Sequence, residues 1–270
     1  MTRYAVIGDP VAHSKSPRIH TLFAEQFTAD VQYAAIQVEA DGLKSFVDEF
    51  FSAGGGGLNV TVPHKESAFA LCASTSIQAQ LAKAVNTLML DSNGELFGDN
   101  TDGRGIVTDI TENHQVAIAG KRVLLVGAGG AARGALPALI EQSPEQIVLV
   151  NRTLAKAQTI QNEFADIARV DATSFEALDR KPFDIIINAT SLSLHGELPA
   201  LSPALIAEST CCYDMMYGDS DTVFVSWAKQ HGAGVCLDGL GMLVEQAAES
   251  FLLWQGKRPE TQPVIAALRR

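Results

Sequence analysis

Short apolar, β-rich runs alternate with stretches of helical periodicity along nearly all of this chain. Strand signals fall at residues 3–8, 32–38, 57–62, 85–91, 122–127, 146–150, 184–188, 211–214 and 234–237. Helical spacing occupies 16–27, 41–52, 102–113, 130–142, 153–165 and 221–231, and a long amphipathic stretch covers 239–254. Strands separated by helices pair in parallel, and parallel sheets need helices over both faces. The expected class is therefore α/β. Two runs are distinguishable, one up to about residue 101 and a second that begins at 121–127 with its own glycine turn. Periodicity alone does not assign 239–254 to either run.

The chain has 270 residues, room for one large domain or two small ones. Its 20 Lys+Arg against 31 Asp+Glu give a net charge of −11, which argues against nucleic acid or an anionic membrane surface as partner. Anionic small molecules stay possible, because local donors outweigh a distant screened field. The longest apolar runs fall short of a membrane span, and the first residues carry too short an apolar stretch for a signal peptide. Cys72, Cys211, Cys212 and Cys236 follow no metal-ligand spacing, so no metal is expected and reduced thiols are. These features lead to the expectation of a soluble cytoplasmic protein.

After the apolar run 123–126 comes Gly127-Ala128-Gly129-Gly130-Ala131-Ala132. This fits G-x-G-x-x-A: a first glycine for the turn, a second for close approach of a pyrophosphate, and a small residue for helix packing. Helix-start N–H groups then face the phosphates. An ordinary tight turn could use the same residues. The next strand ends at Asn151-Arg152-Thr153, where an NAD enzyme usually carries an acid for the ribose hydroxyl. Here Arg152 and Lys156 stand instead, a cationic pair suited to a 2′-phosphate, so NADP is preferred; a solvated helix face is the alternative.

In the first run, Ser14-Lys15-Ser16-Pro17 precedes a helix, with Ser16 the expected N-cap and Ser14 a second hydroxyl. Alternation places Asn59 and Thr61 on one strand face, as at a strand end lining a cleft, and Lys65 lies just past that end. Asn86 is a lone amide in an apolar strand, and either ties a turn or meets a ligand. Asp99-Asn100-Thr101-Asp102 fits a helix-capping turn, while Asp102 is equally a candidate catalytic carboxylate.

These segments, with Asn-Ala-Thr-Ser at 188–191, Tyr-Asp-Met-Met-Tyr at 213–217 and Asp-Gly-Leu-Gly-Met-Leu at 238–243, occur in an order that resembles the NADP-dependent shikimate dehydrogenase family over essentially the whole chain. The resemblance implies an α/β fold of two domains with a cleft between them. An N-terminal α/β substrate domain would comprise 1–101, completed by C-terminal helices at 238–270. A Rossmann-like dinucleotide-binding domain would comprise 102–237. It implies NADPH-linked reversible reduction of 3-dehydroshikimate to shikimate, on the way to chorismate and the aromatic amino acids.

Carried over residue by residue, the resemblance makes Lys65 and Asp102 the catalytic pair. Ser14 and Ser16 would bind the substrate carboxylate. Thr61, Asn86, Asp102, Tyr217 and Gln246 would also contact substrate, with Asn59 a weaker candidate. Gly127, Ala128, Gly129, Gly130, Ala131 and Ala132 would hold the pyrophosphate. Asn151, Arg152, Thr153 and Lys156 would hold the 2′-phosphoribose, and Ala189, Thr190, Ser191, Met215 and Gly239 the nicotinamide side. A monomer or homodimer is expected.

Two departures stand out. The family often has an acid within 72–78, and this chain has none there. It often has a glycine soon after Asn-Ala-Thr-Ser, where this chain runs Leu192-Ser193-Leu194-His195-Gly196. The rival readings are an NAD-linked quinate/shikimate dehydrogenase, which an acid at 151 or 152 would favour, and a non-catalytic NADPH-binding sensor, which would not need Lys65 and Asp102.

Overall fold

A computed structural model describes residues 2–269. The chain divides into two compact units, one running through Gly105 and resuming at Leu243, the other Ile106–Met242. Both boundaries fall a few residues later than the expected limits at 101/102 and 237/238, so Asp102 belongs to the first unit. Met1 and Arg270, the outer ends of the expected first domain, lie outside the described residues.

The first unit contains β1 (Thr2–Gly8), α1 (Ser16–Phe27), β2 (Val31–Gln37), α2 (Leu43–Ser52), β3 (Gly55–Val60), α3 (Lys65–Leu71), β4 (Ser74–Thr75), α4 (Ile77–Ala82), β5 (Thr87–Leu90) and β6 (Leu96–Asp99). The chain then enters α5 (Asp102–Thr108), whose middle holds the first unit boundary. The six strands form one sheet in the order β2-β1-β3-β5-β6-β4. It is not the all-parallel sheet that the alternation implies, because β5 runs antiparallel to both β3 and β6. The reversal is local. Asp91 Oδ1 accepts from Asn93 N at 2.8 Å and Glu95 N at 2.9 Å, and Gly94 takes a left-handed φ of 79°, so β5 and β6 close as a hairpin.

Strand alternation sends Ala5 and Ile7 to one face, into a core with Val47, Phe50, Phe51, Leu58 and Leu88. On the other side, α1 packs Ile19 and Phe23 against Val244, Ala247 and Phe251. Each such buried Val, Leu, Ile or Phe side chain stabilises the unit by roughly 1.5–3 kcal/mol.

The second unit contains β7 (Arg122–Val126), α6 (Gly130–Glu141), β8 (Gln146–Val150), α7 (Leu154–Phe164), β9 (Val170–Thr173), β10 (Ile185–Asn188), β11 (Cys211–Asp214), α8 (Val223–Gln230) and β12 (Val235–Leu237). Its six strands are all parallel, in the order β12-β11-β10-β7-β8-β9. Counted within the unit this is 3-2-1-4-5-6 read from β9, the doubly wound order of dinucleotide-binding sheets. Val123, Leu124, Leu125 and Val126 are each fully buried, as a central strand requires. Helix α9 (Leu240–Gln255) carries the chain back to the first unit, and α10 (Gln262–Leu268) follows. Among the described residues no helix is long and apolar enough to cross a membrane.

Candidate active site

The antiparallel β5 sets where the first unit gathers its polar side chains. Strands β1 and β3 are parallel, so the segments after them, with Ser14 and Lys65, leave one rim of the sheet. Because β5 is reversed, Asn86 at its start reaches that same rim, and so does the end of β6 leading to Asp102. An all-parallel sheet would have sent Asn86 to the opposite edge.

Lys65 and Asp102 meet at this rim, Nζ to Oδ2 at 2.5 Å. Both side chains are largely enclosed, 27% and 11% exposed, so the pair is shielded from bulk solvent but not sealed from it. Asn86 Nδ2 donates to Asp102 Oδ1 at 2.9 Å. Asn86 is itself fixed, its Oδ1 accepting from Thr101 N at 2.9 Å and its Nδ2 reaching Thr101 Oγ1 at 2.9 Å. Thr101 Oγ1 donates onward to Gln246 O at 3.0 Å, and Gln246 Oε1 lies 3.4 Å from Asn86 Nδ2. Of the two roles open to it, tying a turn or meeting a ligand, Asn86 performs the first, and it also orients the Asp102 carboxylate. Asn100 Oδ1 takes Asp102 N at 3.1 Å, so Asn100 does the capping and Asp102 keeps its carboxylate for Lys65.

Two expectations need correction. Ser16 is not the N-cap of α1: Lys15 occupies that position, and Ser14 Oγ accepts from Ser16 N at 3.2 Å. Ser14 makes the helix-start bond, while Ser16 is buried. Asn59 does not line an open strand end. It is buried, its Nδ2 bonding Asn86 O, Thr87 Oγ1 and Ser250 Oγ while its Oδ1 accepts from Tyr33 OH at 2.7 Å. With its bonding capacity filled by protein, Asn59 is a structural amide. Thr61, two residues on, stays half-buried at the rim.

His20 of α1 is fully buried and stacked on Tyr33 of β2, with ring centroids 4.1 Å apart. Among the described residues neither ring nitrogen has a hydrogen-bond partner. Burial pulls its imidazole down to about 3.

In the second unit the parallel strands end together, so the turns after β7, β8, β10, β11 and β12 share one rim. Gly127 has φ of 110°, a conformation that strains any side chain. A Cβ there would also press on Ala189 and Thr190, so the two turns at the reversal of strand order lie in contact. Nothing stands within 4 Å of where a Cβ of Gly129 or Gly130 would be, which leaves the helix-start N–H groups open to an approaching anion. Ala132 is buried, as close helix packing needs. These features fit a dinucleotide pyrophosphate.

Beyond β8, Asn151 Nδ2 donates to Thr153 O at 2.9 Å, shaping the turn, and Arg152, Thr153 and Lys156 are exposed. Among the described residues neither cation is engaged in an ion pair, so both are available to a phosphate. Ala189 is buried, Thr190 half-buried and Ser191 exposed; Met215 and Gly239 pack together, a Cβ on Gly239 colliding with Met215 O. Tyr217 lies in this unit, apart in sequence from the other substrate candidates, its phenol pushed up by burial and by Asp238. Sequence reasoning missed Asn188 and Asp214, both fully buried and bonded to each other at 3.1 Å. The available signal was an acid closing an otherwise apolar strand.

A doubly wound sheet with a glycine turn at its reversal point, in a chain whose other unit carries an enclosed lysine–carboxylate pair, defines a dinucleotide-linked oxidoreductase. Known proteins narrow the class. The chain matches the shikimate dehydrogenase substrate binding domain at residues 6–88, the shikimate / quinate 5-dehydrogenase family at 109–195 and the shikimate 5′-dehydrogenase C-terminal domain at 239–269. It is 54% identical to a shikimate dehydrogenase (NADP(+)) of Alkalilimnicola ehrlichii, over 99% of this chain and 98% of that one. Among solved structures, an Ael1 enzyme from Pseudomonas putida is 43% identical with a TM-score of 0.95, over 100% of this chain and 99% of that one. Shikimate 5-dehydrogenase from Thermus thermophilus, in complex with NADP(H) and shikimate, is 33% identical with a TM-score of 0.88, over 100% and 99% of the two chains. The chain belongs to the shikimate dehydrogenase family.

Proposed function

We propose that this enzyme catalyses the reversible NADPH-dependent reduction of 3-dehydroshikimate to shikimate, with Lys65 and Asp102 as its catalytic pair. The observation that carries the residue assignment is the 2.5 Å contact between Lys65 Nζ and Asp102 Oδ2, held in orientation by Asn86. The nicotinamide, when bound, supplies the hydride.

As a carbonyl is reduced, negative charge collects on its oxygen. A pre-oriented ammonium stabilises that charge, and Lys65 is the cation placed to do so; one such donor is typically worth about 2.7–4 kcal/mol. Lys65 also holds a proton for the nascent hydroxyl at Nζ. Asp102 steadies Lys65 through Oδ2, and Asn86 occupies one site on Oδ1. A carboxylate has about four lone-pair sites, so Asp102 can still accept from a substrate hydroxyl. Ser14 and Ser16 supply hydroxyls for the substrate carboxylate, and Thr61, Gln246 and Tyr217 complete the polar contacts.

The turn Gly127 to Ala132 holds the pyrophosphate on open backbone N–H groups. Asn151, Arg152, Thr153 and Lys156 hold the 2′-phosphoribose, the two free cations selecting NADP over NAD. Ala189, Thr190, Ser191, Met215 and Gly239 line the nicotinamide side. The four cysteines are free thiols, in keeping with a reducing cytoplasm. A monomer or homodimer suffices, since one chain carries every assigned group.

The deciding experiment follows nicotinamide absorbance with NADP⁺ or NAD⁺ and with shikimate or quinate. Turnover is expected with shikimate and NADP⁺ well above the other pairs. Preference for quinate with NAD⁺, or inactivity with every pair, would overturn the reading.

A further inference from the structure

One buried carboxylate ties together the turns that follow β10 and β11. Asp214 Oδ1 accepts from Asn188 Nδ2 at 3.1 Å and from Met216 N at 3.0 Å. Its Oδ2 accepts from Ser193 Oγ and Thr222 Oγ1, both at 2.6 Å. Asn188 extends the network, its Oδ1 accepting from Thr190 N at 3.1 Å and Thr190 Oγ1 at 2.7 Å. Asn188 and Asp214 face each other in register across the two strands, so the network starts from fixed backbone.

Among the described residues no cation pairs with Asp214. A buried carboxylate without a cation is costly unless its oxygens are filled by donors. Burial raises its proton affinity, and the donors from Ser193, Thr222, Met216 and Asn188 pull the other way. Only a carboxylate presents two acceptor oxygens in one plane with about four lone-pair sites. A serine or asparagine could not receive the same four donors. The 192–195 stretch, which departs from the family pattern, thus has a definite place: Ser193 sits in a short 3₁₀ turn with its hydroxyl on Asp214.

We propose that Asp214 is a positioning residue for the nicotinamide side, its carboxylate fixing the 189–193 turn and the 215–217 turn in a single arrangement. This rests on the functional reading above, which puts Ala189, Thr190, Ser191 and Met215 on that side. Asp214 touches neither substrate nor cofactor. It acts through Asn188 and Ser193 on one turn, through the Met216 amide on the other, and through Thr222 on the start of α8. A carboxylate with a stability role alone would leave cofactor binding by the folded enzyme unchanged; a positioning one moves the binding of the nicotinamide half and not that of the 2′-phosphate end.

The test compares the wild type with Asp214→Asn and Ser193→Ala. It measures turnover with shikimate and NADP⁺, and separately the dissociation constants of NADP⁺ and of adenosine 2′,5′-bisphosphate, which keeps the 2′-phosphate and lacks nicotinamide. Asp214→Asn is expected to lower kcat about tenfold or more and to weaken NADP⁺ several-fold, with the bisphosphate constant within about twofold of wild type. Ser193→Ala, which removes a single donor, is expected to move the same way by about two- to fivefold. Unchanged kcat, or parallel weakening of NADP⁺ and the bisphosphate, overturns the proposal. If Asp214→Asn does not fold, Ser193→Ala decides by the same criteria. An inactive wild type would refute the functional reading instead, while the ratio of the two binding constants still judges Asp214.

Discussion

Lys65 and Asp102 are each the first residue of a short helix, and their side chains meet at 2.5 Å. The arrangement follows from sheet topology. Strand β3 ends and α3 begins at Lys65; β6 ends and α5 begins at Asp102. Between them β5 runs the other way and brings Asn86 to the same rim. A lysine at a helix start faces the positive end of the backbone dipoles, an unfavourable place that the Asp102 carboxylate offsets.

In the proposed mechanism, replacing Lys65 with alanine removes the ammonium from the developing oxyanion. The expected loss in kcat is about a hundredfold or more, with NADPH affinity little changed. Steady-state kinetics with a separate cofactor titration checks both halves. Near-wild-type turnover would sink the assignment.

Arg152 and Lys156 are exposed and unpaired among the described residues, so their value lies in what binds them. Arg152→Ala is expected to raise KM for NADPH about tenfold or more while KM for NADH hardly moves. Equal losses with both cofactors would refute a 2′-phosphate role.

Ser14 has one observed duty and one proposed duty, which a single variant, Ser14→Ala, separates. Loss of its bond to Ser16 N should cost about 0.5–1.5 kcal/mol, seen as a fall in Tm of a few degrees. Loss of a carboxylate ligand should raise KM for shikimate and leave kcat largely intact. A changed Tm with an unchanged KM would confine Ser14 to the helix start.

His20 gives the fold an acid sensitivity whose sign is fixed. Its folded value of about 3 lies below the ordinary 6.5, so between those limits the unfolded chain binds more protons. Its penalty is absent above pH 6.5 and grows as pH falls, reaching about 2 kcal/mol at pH 5. His20→Phe keeps an aromatic ring against Tyr33 and removes the titration. Urea unfolding at pH 7 and pH 5 should show about 2 kcal/mol less acid destabilisation in the variant than in the wild type. Equal pH dependence would exclude His20 as the cause.

Much of the proposed active site was legible because helix starts and glycine turns carry local signals. Lys65 after a strand-ending proline, Asp102 in a polar turn, and the glycines at 127–130 all announce themselves within a few residues. Strands β4, β6 and β9 did not, being too short for periodicity to register, and the hairpin that reverses β5 depends on one Asx turn at Asp91. The bonds of Asn59 reach Ser250, 191 positions away, which local pattern cannot foresee. Asp214 was hidden differently: it reads as the end of an apolar strand, and its four donors come from Asn188, Ser193, Met216 and Thr222.

Helix α9 bears on how the nascent chain leaves the ribosome. Its Ser250 completes the bonding of Asn59 and Thr87, and its Trp254 stacks on Tyr4 with ring centroids 4.9 Å apart and donates to Leu88 O. All of these partners are synthesised before residue 106, yet the α9 residues that satisfy them, Ser250 and Trp254, come after the whole second unit. At about 5–20 residues per second, the early segment waits roughly 7–30 seconds for its final helix. The sheet translated first thus receives its last packing partner at the end of synthesis, and the dinucleotide-binding unit, continuous in sequence, has the opportunity to fold ahead of that step.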